Sequence, residues 1–243
     1  KIQFFEECQK AYGQPALMLS GGATLGLFHT GVCKALLEQD LLPKVLSGSS
    51  AGAIMTGMLG TSSADQIPEL LTGKHFFHEA FRFRKVMELI KGHGGIADVM
   101  YLKKFLIHNM GDLTFAEAYQ RSGLHINIAV APYNASQNPL ILNALTAPNA
   151  LVWSAVMASC AVPVLFPPVH LTSKRYDGQH TPYMSNTKWV DGSMRSDLTQ
   201  EKMARLYNIN YTIASQVNPH IVPFMQSDLQ RYRNDVLSWP ERI

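Results

Sequence analysis

Residues 45–59 read VLSGSSAGAIMTGML, a short apolar run and a longer one joined by Gly48-Ser49-Ser50-Ala51-Gly52. The first run has the length of a strand and the second that of a helix. A chain passing from strand to helix within five residues folds back sharply, and glycines on both flanks remove the Cβ atoms that would collide there. The central Ser50 is lifted clear of the turn. The helix that follows aims its unpaired N–H groups, and the positive end of its dipole, at the same spot. This is the pattern of a nucleophile elbow. It constrains the fold as well as the chemistry, because an elbow needs a sheet whose strands feed directly into helices.

The flanking sequence supplies such a sheet. Residues 16–20 (ALMLS) predict a buried strand ending in Gly21-Gly22, and 27–39 predict a helix with Leu27, Val32, Leu36 and Leu37 near one face. Strand, helix, strand, helix is the alternation of a parallel α/β sheet. Residues 62–122 are expected to be mostly helical, an insertion or lid with aromatic side chains gathered at Phe76, Phe77, Phe81 and Phe83. Within it, Thr114-Phe115-Ala116-Glu117 spells a capping box. Farther on, 125–131 and 140–145 predict strands, 150–159 a helix capped by Asn149, and 172–187 a polar surface loop. Two strands follow over 188–191 and 211–216, separated by a helix over 200–207, and 229–237 predict a weak terminal helix.

Composition narrows the class. With 47% hydrophobic and 16% charged residues in 243, the chain fits one globular domain over 1–243. Lys1 is not an initiator Met, so the sequence is expected to be a piece of a longer protein. The formal charge of +3 is too small to point to nucleic acid and is compatible with an anionic lipid surface. Cys8, Cys33 and Cys160 are scattered and lack a C-x-x-C, and no histidine spacing matches a metal motif. The expectation is an intracellular protein with no metal and no cofactor. Residues 151–169 carry no charge and are long enough to span a membrane, but Pro163, Pro167 and Pro168 interrupt them. A buried helix followed by an extended turn is expected instead.

Three segments carry the chemistry. Ser50 is the candidate nucleophile. Ser20-Gly21-Gly22-Ala23-Thr24-Leu25-Gly26 follows a strand and opens a helix, so its N–H groups suit a developing oxyanion or a phosphate. Its spacing fits neither G-x-G-x-x-G nor a Walker loop. Val190-Asp191-Gly192-Ser193 puts a carboxylate at the carboxyl end of a strand, where parallel α/β sheets place their sites. A Ser, Asp, His order is met by Ser50, Asp191 and His220, so a triad must be weighed. Against it, Gly22 precedes Ser50 by only 28 positions, inside one βαβ unit, and His220 lies in a proline-containing turn. A dyad in which Asp191 takes the Ser50 proton is preferred. A carboxylate is a weak base in water, and an apolar cleft that penalises its charge strengthens it. His29, three residues after Gly26, reads as a packing residue bonded to a neighbouring loop. The alternating Phe81-Arg82-Phe83-Arg84-Lys85 reads either as a solvated helix face with buried Phe or as a rest on a lipid interface.

Together these residues resemble the patatin-like phospholipase family. GGATLG (21–26) is similar to its glycine-rich oxyanion motif, GSSAG (48–52) to its nucleophile motif and DGS (191–193) to its Asp-Gly-Gly/Ala motif. LTFAEAY, WVDGSM and SQVNPHIVPF are similar to the branch that includes yeast and plant triacylglycerol lipases. The resemblance implies a three-layer α/β/α sandwich with a mainly parallel central sheet. It also implies a Ser50–Asp191 dyad, an oxyanion hole at Gly21, Gly22 and Ala23, and motif glycines at Gly26, Gly48, Gly52 and Gly192. The implied activity is metal-free hydrolysis of acylglycerol or phospholipid esters at the periphery of a membrane or lipid droplet. Ala23 stands where the family has a third glycine, and Leu25 where it has a basic residue, which favours neutral glycerides over phospholipids. The alternatives are transacylation at the same site and a non-catalytic lipid-binding module.

Overall fold

The computed structural model describes residues 4, 7, 11–72, 96–134, 138–162, 166–192 and 200–218. Its strands are β1 (Gln14–Leu19), β2 (Val45–Gly48), β3 (His125–Pro132), β4 (Leu140–Leu142), β5 (Leu171–Lys174), β6 (His180–Tyr183), β7 (Trp189–Asp191) and β8 (Ile209–Ser215). The helices are α1 (Phe28–Glu38), α2 (Ala51–Thr61), α3 (Ile67–Leu70), α4 (Ile96–Met110), α5 (Phe115–Ser122), α6 (Val152–Ser159) and α7 (Gln200–Tyr207). A 3₁₀ turn, Ala23–Leu27, leads into α1. The central sheet runs β4-β3-β2-β1-β8, with β7 also paired to β3. β1, β2, β3 and β8 are parallel, and β4 and β7 run antiparallel to β3.

Alternation along the strands makes two buried faces. Leu17, Leu19, Leu46, Ile126, Ile128, Val130 and Leu142 join one core with residues of α1, α2, α4, α5 and α6. Ala16, Met18, Val45, Ile141 and Ile209 form a second core with Met203 and Tyr207 of α7. Burial on both faces explains why β1, β2 and β3 read as nearly unbroken apolar runs. The right-handed crossovers from β1 to β2 and from β2 to β3 put α1 and α2 on one face; α7, which packs Met203 and Tyr207 into the second core, lies on the other. The fold is therefore an α/β sandwich around a mostly parallel sheet, as expected. Every residue of α2 is buried, as a helix apolar on all sides must be.

The capping box forms: the Thr114 hydroxyl accepts the Glu117 N–H (3.2 Å), and the Glu117 carboxylate accepts the Thr114 N–H (2.8 Å). Four expectations need correction. Asn149 does not cap α6; Ala150 and Leu151 are drawn into bridges with Ser173 and Thr114, so the helix starts later, from Leu151, without a side-chain cap. The polar stretch 172–187 contains the β5–β6 hairpin, whose half-exposed strands need few apolar residues. β4 ends at Leu142 because Asn143 turns the chain, its side-chain oxygen accepting the N–H groups of Leu145 and Thr146. The strand carrying Asp191 is antiparallel to its neighbour, not a member of the parallel set. Among the described residues no helix is long and apolar enough to cross a membrane. Cys8, Phe76, Phe77, Phe81, Phe83, the 81–85 segment, Pro163, Ser193, His220 and 229–237 lie outside the described residues.

Candidate active site

β2 ends at Gly48, and the chain turns into α2 through Ser49 and Ser50. Ser50 has φ 51° and ψ −118°, a backbone region that costs a non-glycine residue about 1–3 kcal/mol and persists only where the surroundings impose it. They do so here. Ser49 N–H bonds the Leu19 carbonyl of β1 (3.2 Å), Gly52 N–H bonds Ser49 O (2.9 Å), and Ala53 N–H bonds Ser50 O (2.9 Å). Gly52 packs directly on the end of β1, where a Cβ would lie 2.1 Å from Leu19 O. The turn is buried, yet Ser50 remains partly exposed.

The glycine loop after β1 arches over this elbow. A Cβ on Gly26 would sit 2.4 Å from the Cβ of Ala51, the residue after Ser50. Ser20 fastens the loop: its N–H bonds Ser215 O (3.0 Å) and its hydroxyl accepts the Val217 N–H (2.9 Å). His29 is wholly buried beneath it. One ring nitrogen, Nε2, lies 2.9 Å from the Ser20 carbonyl and the other, Nδ1, 2.8 Å from the Ser215 hydroxyl. A carbonyl can only accept, so Nε2 carries the proton. His29 is a loop support, as its spacing implied. Ala23, in the place of the family's third glycine, has φ 50°, so the substitution keeps a left-handed backbone that glycine adopts more easily. The opening turn of a helix leaves its first N–H groups without intrahelical acceptors.

Asp191 reaches the same place by a route that the sequence did not indicate. Ile128 of β3 pairs with Gly48 of β2 on one edge and Leu142 of β4 on the other. Val130, two residues on, pairs with Leu140 of β4 and with Asp191 of β7. A strand has two edges, so β7 occupies the edge that β2 vacates at the elbow. The two strands lie end to end with their carboxyl ends facing, and two residues of β3, about 7 Å, separate Gly48 from Asp191. Asp191 is buried, and its N–H bonds Ala161 O (3.0 Å). Gly192 follows, pressed on the Ala129 carbonyl; a Cβ there would lie 2.6 Å from that oxygen.

Ser159 and Cys160, at the end of α6, occupy the gap between the two strand ends. The Ser159 hydroxyl accepts the Ser50 N–H (3.0 Å) and donates to Ala129 O (2.7 Å). The Cys160 thiol donates to Ser50 O (3.5 Å). Burial, and then the Asp191 charge, push that thiol well above its ordinary range, so it stays protonated and able to donate. Neither residue was singled out from sequence. A serine in an apolar helix ordinarily bonds its own preceding turn, so the residue type carried no signal. α6 itself is core, with only Met157 partly exposed. Among the described residues no group of three His, Cys, Asp or Glu could hold a metal ion.

The family model described as patatin-like phospholipase matches residues 17–201. Triacylglycerol lipase 4 of Saccharomyces cerevisiae is 41% identical over 94% of this chain and 27% of its own length. Triacylglycerol lipase SDP1L of Arabidopsis thaliana is 37% identical over 93% of this chain and 30% of its own. Triacylglycerol lipase ptl2 of Schizosaccharomyces pombe is 34% identical over 93% and 37%. The chain thus spans about a third of the length of these curated relatives. Among solved structures, VipD from Legionella pneumophila superposes with a TM-score of 0.50 at 13% identity, covering 93% of this chain and 55% of that one, a likeness of fold alone. With the elbow, the glycine loop and the Asp-Gly turn all inside the matched residues, the chain belongs to the patatin-like phospholipase family.

Proposed function

We propose that this chain is a serine lipid acyl hydrolase that cleaves acylglycerol esters through a Ser50–Asp191 dyad. Ser50 attacks the acyl carbonyl while Asp191 accepts its proton, and N–H groups of Gly21, Gly22 and Ala23 hold the tetrahedral oxyanion. The alcohol leaves with a proton returned from Asp191. Water, giving a proton to Asp191, then attacks the acyl carbonyl; the ester bond to the Ser50 oxygen breaks, Asp191 returns the proton to that oxygen, and the fatty acid leaves. The observation that carries this reading is the end-to-end meeting of β2 and β7, which brings a partly exposed hydroxyl and a buried carboxylate to one gap beside the glycine loop. Neutral glycerides are the favoured substrates, because Leu25 stands where a phosphate-attracting cation would be and the relatives above bear the name triacylglycerol lipase. The test is a panel of tri-, di- and monoacylglycerols and phospholipids, with Ser50→Ala as blank and a fluorophosphonate probe as a second readout. Triacylglycerol turnover and probe labelling are both expected to vanish in Ser50→Ala. Equal rates in the two proteins would sink the proposal.

Contact with a lipid surface is part of the same proposal. Leu25, at the end of the glycine loop, and Leu27 and Phe28, just after it, are 38%, 42% and 69% exposed. Clustered exposed apolar side chains beside a site mark an interaction surface. Burying one Phe in lipid is worth about 1.5–3 kcal/mol. Phe28→Glu is therefore expected to lower turnover of emulsified triacylglycerol about tenfold or more, while a soluble short-chain ester is cleaved nearly as before. A parallel fall on both substrates would argue against a surface role.

A further inference from the structure

We infer that Ser159 is a positioning residue that fixes the spacing between Ser50 and the Asp191 strand, an inference that rests on the dyad proposed above. β2 ends opposite Ile128 and β7 ends opposite Val130, so Ala129 lies between the two strand ends. The bonds from His125 N–H to Lys44 O and from Tyr133 N–H to Lys188 O (each 2.8 Å) turn the odd-numbered residues of β3 to the edge shared by β2 and β7, so the Ala129 carbonyl faces the gap. On the other side of the gap, Ser50 has left the strand, and its N–H has no place in the β2–β3 ladder. One donor and one acceptor are thus stranded by the same break in the sheet. Unpaired and buried, both would be costly.

The Ser159 hydroxyl joins them. It accepts from Ser50 N–H at 3.0 Å and donates to Ala129 O at 2.7 Å, and it is wholly buried. A hydroxyl is suited to this because it accepts and donates at once. The result is a side-chain link across the gap between the two strand ends. Cys160, the next residue, grips the other end of Ser50 through its carbonyl. The strained elbow is therefore tied through Ser159 to the Ala129 carbonyl on which the Asp191-Gly192 turn rests. Loosening that tie moves hydroxyl and carboxylate relative to each other, and displacements near 1 Å can cost about 10²-fold in rate.

The test compares wild type with Ser159→Ala, Ser159→Cys and Ser159→Thr. The measurements are the fluorophosphonate labelling rate, kcat and KM on a soluble short-chain ester, and amide hydrogen exchange at Ser50. Ser159→Cys keeps nearly the original volume with a much weaker donor and acceptor, so it carries the test even where Ser159→Ala fails to fold. Labelling and kcat are expected to fall about 10- to 100-fold in the Ala and Cys variants with KM unchanged. Exchange at the Ser50 amide is expected to quicken about tenfold or more while the β3 amides stay protected. Ser159→Thr, which retains the hydroxyl, is expected to recover most of the rate. Wild-type labelling and kcat in Ser159→Cys would overturn the inference. If wild type itself is neither labelled nor active, the dyad reading fails instead, and Ser50 exchange alone decides: no acceleration in Ser159→Cys overturns the link as well.

Discussion

Asp191→Asn is expected to lower kcat for ester hydrolysis by about 10²–10⁴-fold, the usual worth of a positioned general base. Asparagine has nearly the shape of aspartate and leaves untouched the backbone bond from residue 191 to Ala161 O (3.0 Å). The β3–β7 pairing at Val130 involves main chain only, so the strand end should stay in place. What is lost is the ability to take a proton from Ser50. The matching measurement is thermal unfolding: a Tm near that of wild type beside the collapse in kcat separates chemistry from folding. His220→Ala is the companion experiment. Under the dyad most activity survives it; under a Ser, Asp, His triad it is as damaging as Asp191→Asn. An Asp191→Asn enzyme with near-normal turnover would remove the carboxylate from the mechanism.

The elbow around Ser50 and the Asp-Gly turn at Asp191 were legible as local patterns, but the geometry that brings their strands end to end was not. Ser50 announced itself because a strand-to-helix turn with two flanking glycines is a local pattern, and local patterns survive without the fold. His29 was legible for the same reason, three residues from the loop it supports. Asp191 is a candidate through its place at a strand end. The orientation of that strand is not legible in the sequence, because a three-residue strand has no periodicity that tells parallel from antiparallel. Only the pairing of Val130 with both Leu140 and Asp191 reveals that β7 completes the edge β2 leaves. Ser159 and Cys160 were illegible because their partners, Ser50 and Ala129, are remote in sequence, and small polar residues in an apolar helix commonly satisfy themselves locally. The β5–β6 hairpin was hidden by exposure: half-exposed strands obey turn-like composition.

Gly52→Ala is expected to destabilise the protein by about 3 kcal/mol or more, at the upper end of overpacking costs. The added Cβ would stand 2.1 Å from Leu19 O and 2.8 Å from Ser20 O. Both are main-chain atoms at the end of β1, a strand paired on both sides by β2 and β8, so neither can step aside. The helix would have to move instead, and with it Ser49, whose N–H bonds that same Leu19 carbonyl. A cost of this size lowers Tm by roughly 6–12 °C for a chain of this length. Activity is expected to fall as well, since the elbow shifts against the glycine loop. Gly57→Ala, one and a half turns along the same helix, supplies the contrast. There the nearest atoms to the new Cβ are side-chain ends of Met110 and Val156, each at 2.9 Å. A methionine tip can turn away, and alanine gains about 1 kcal/mol of helix propensity over glycine. The two substitutions are chemically identical and share one buried helix. If Gly52→Ala melts within a degree or two of Gly57→Ala, then α2 is not seated on β1 as described, and the elbow that depends on that contact is misplaced with it.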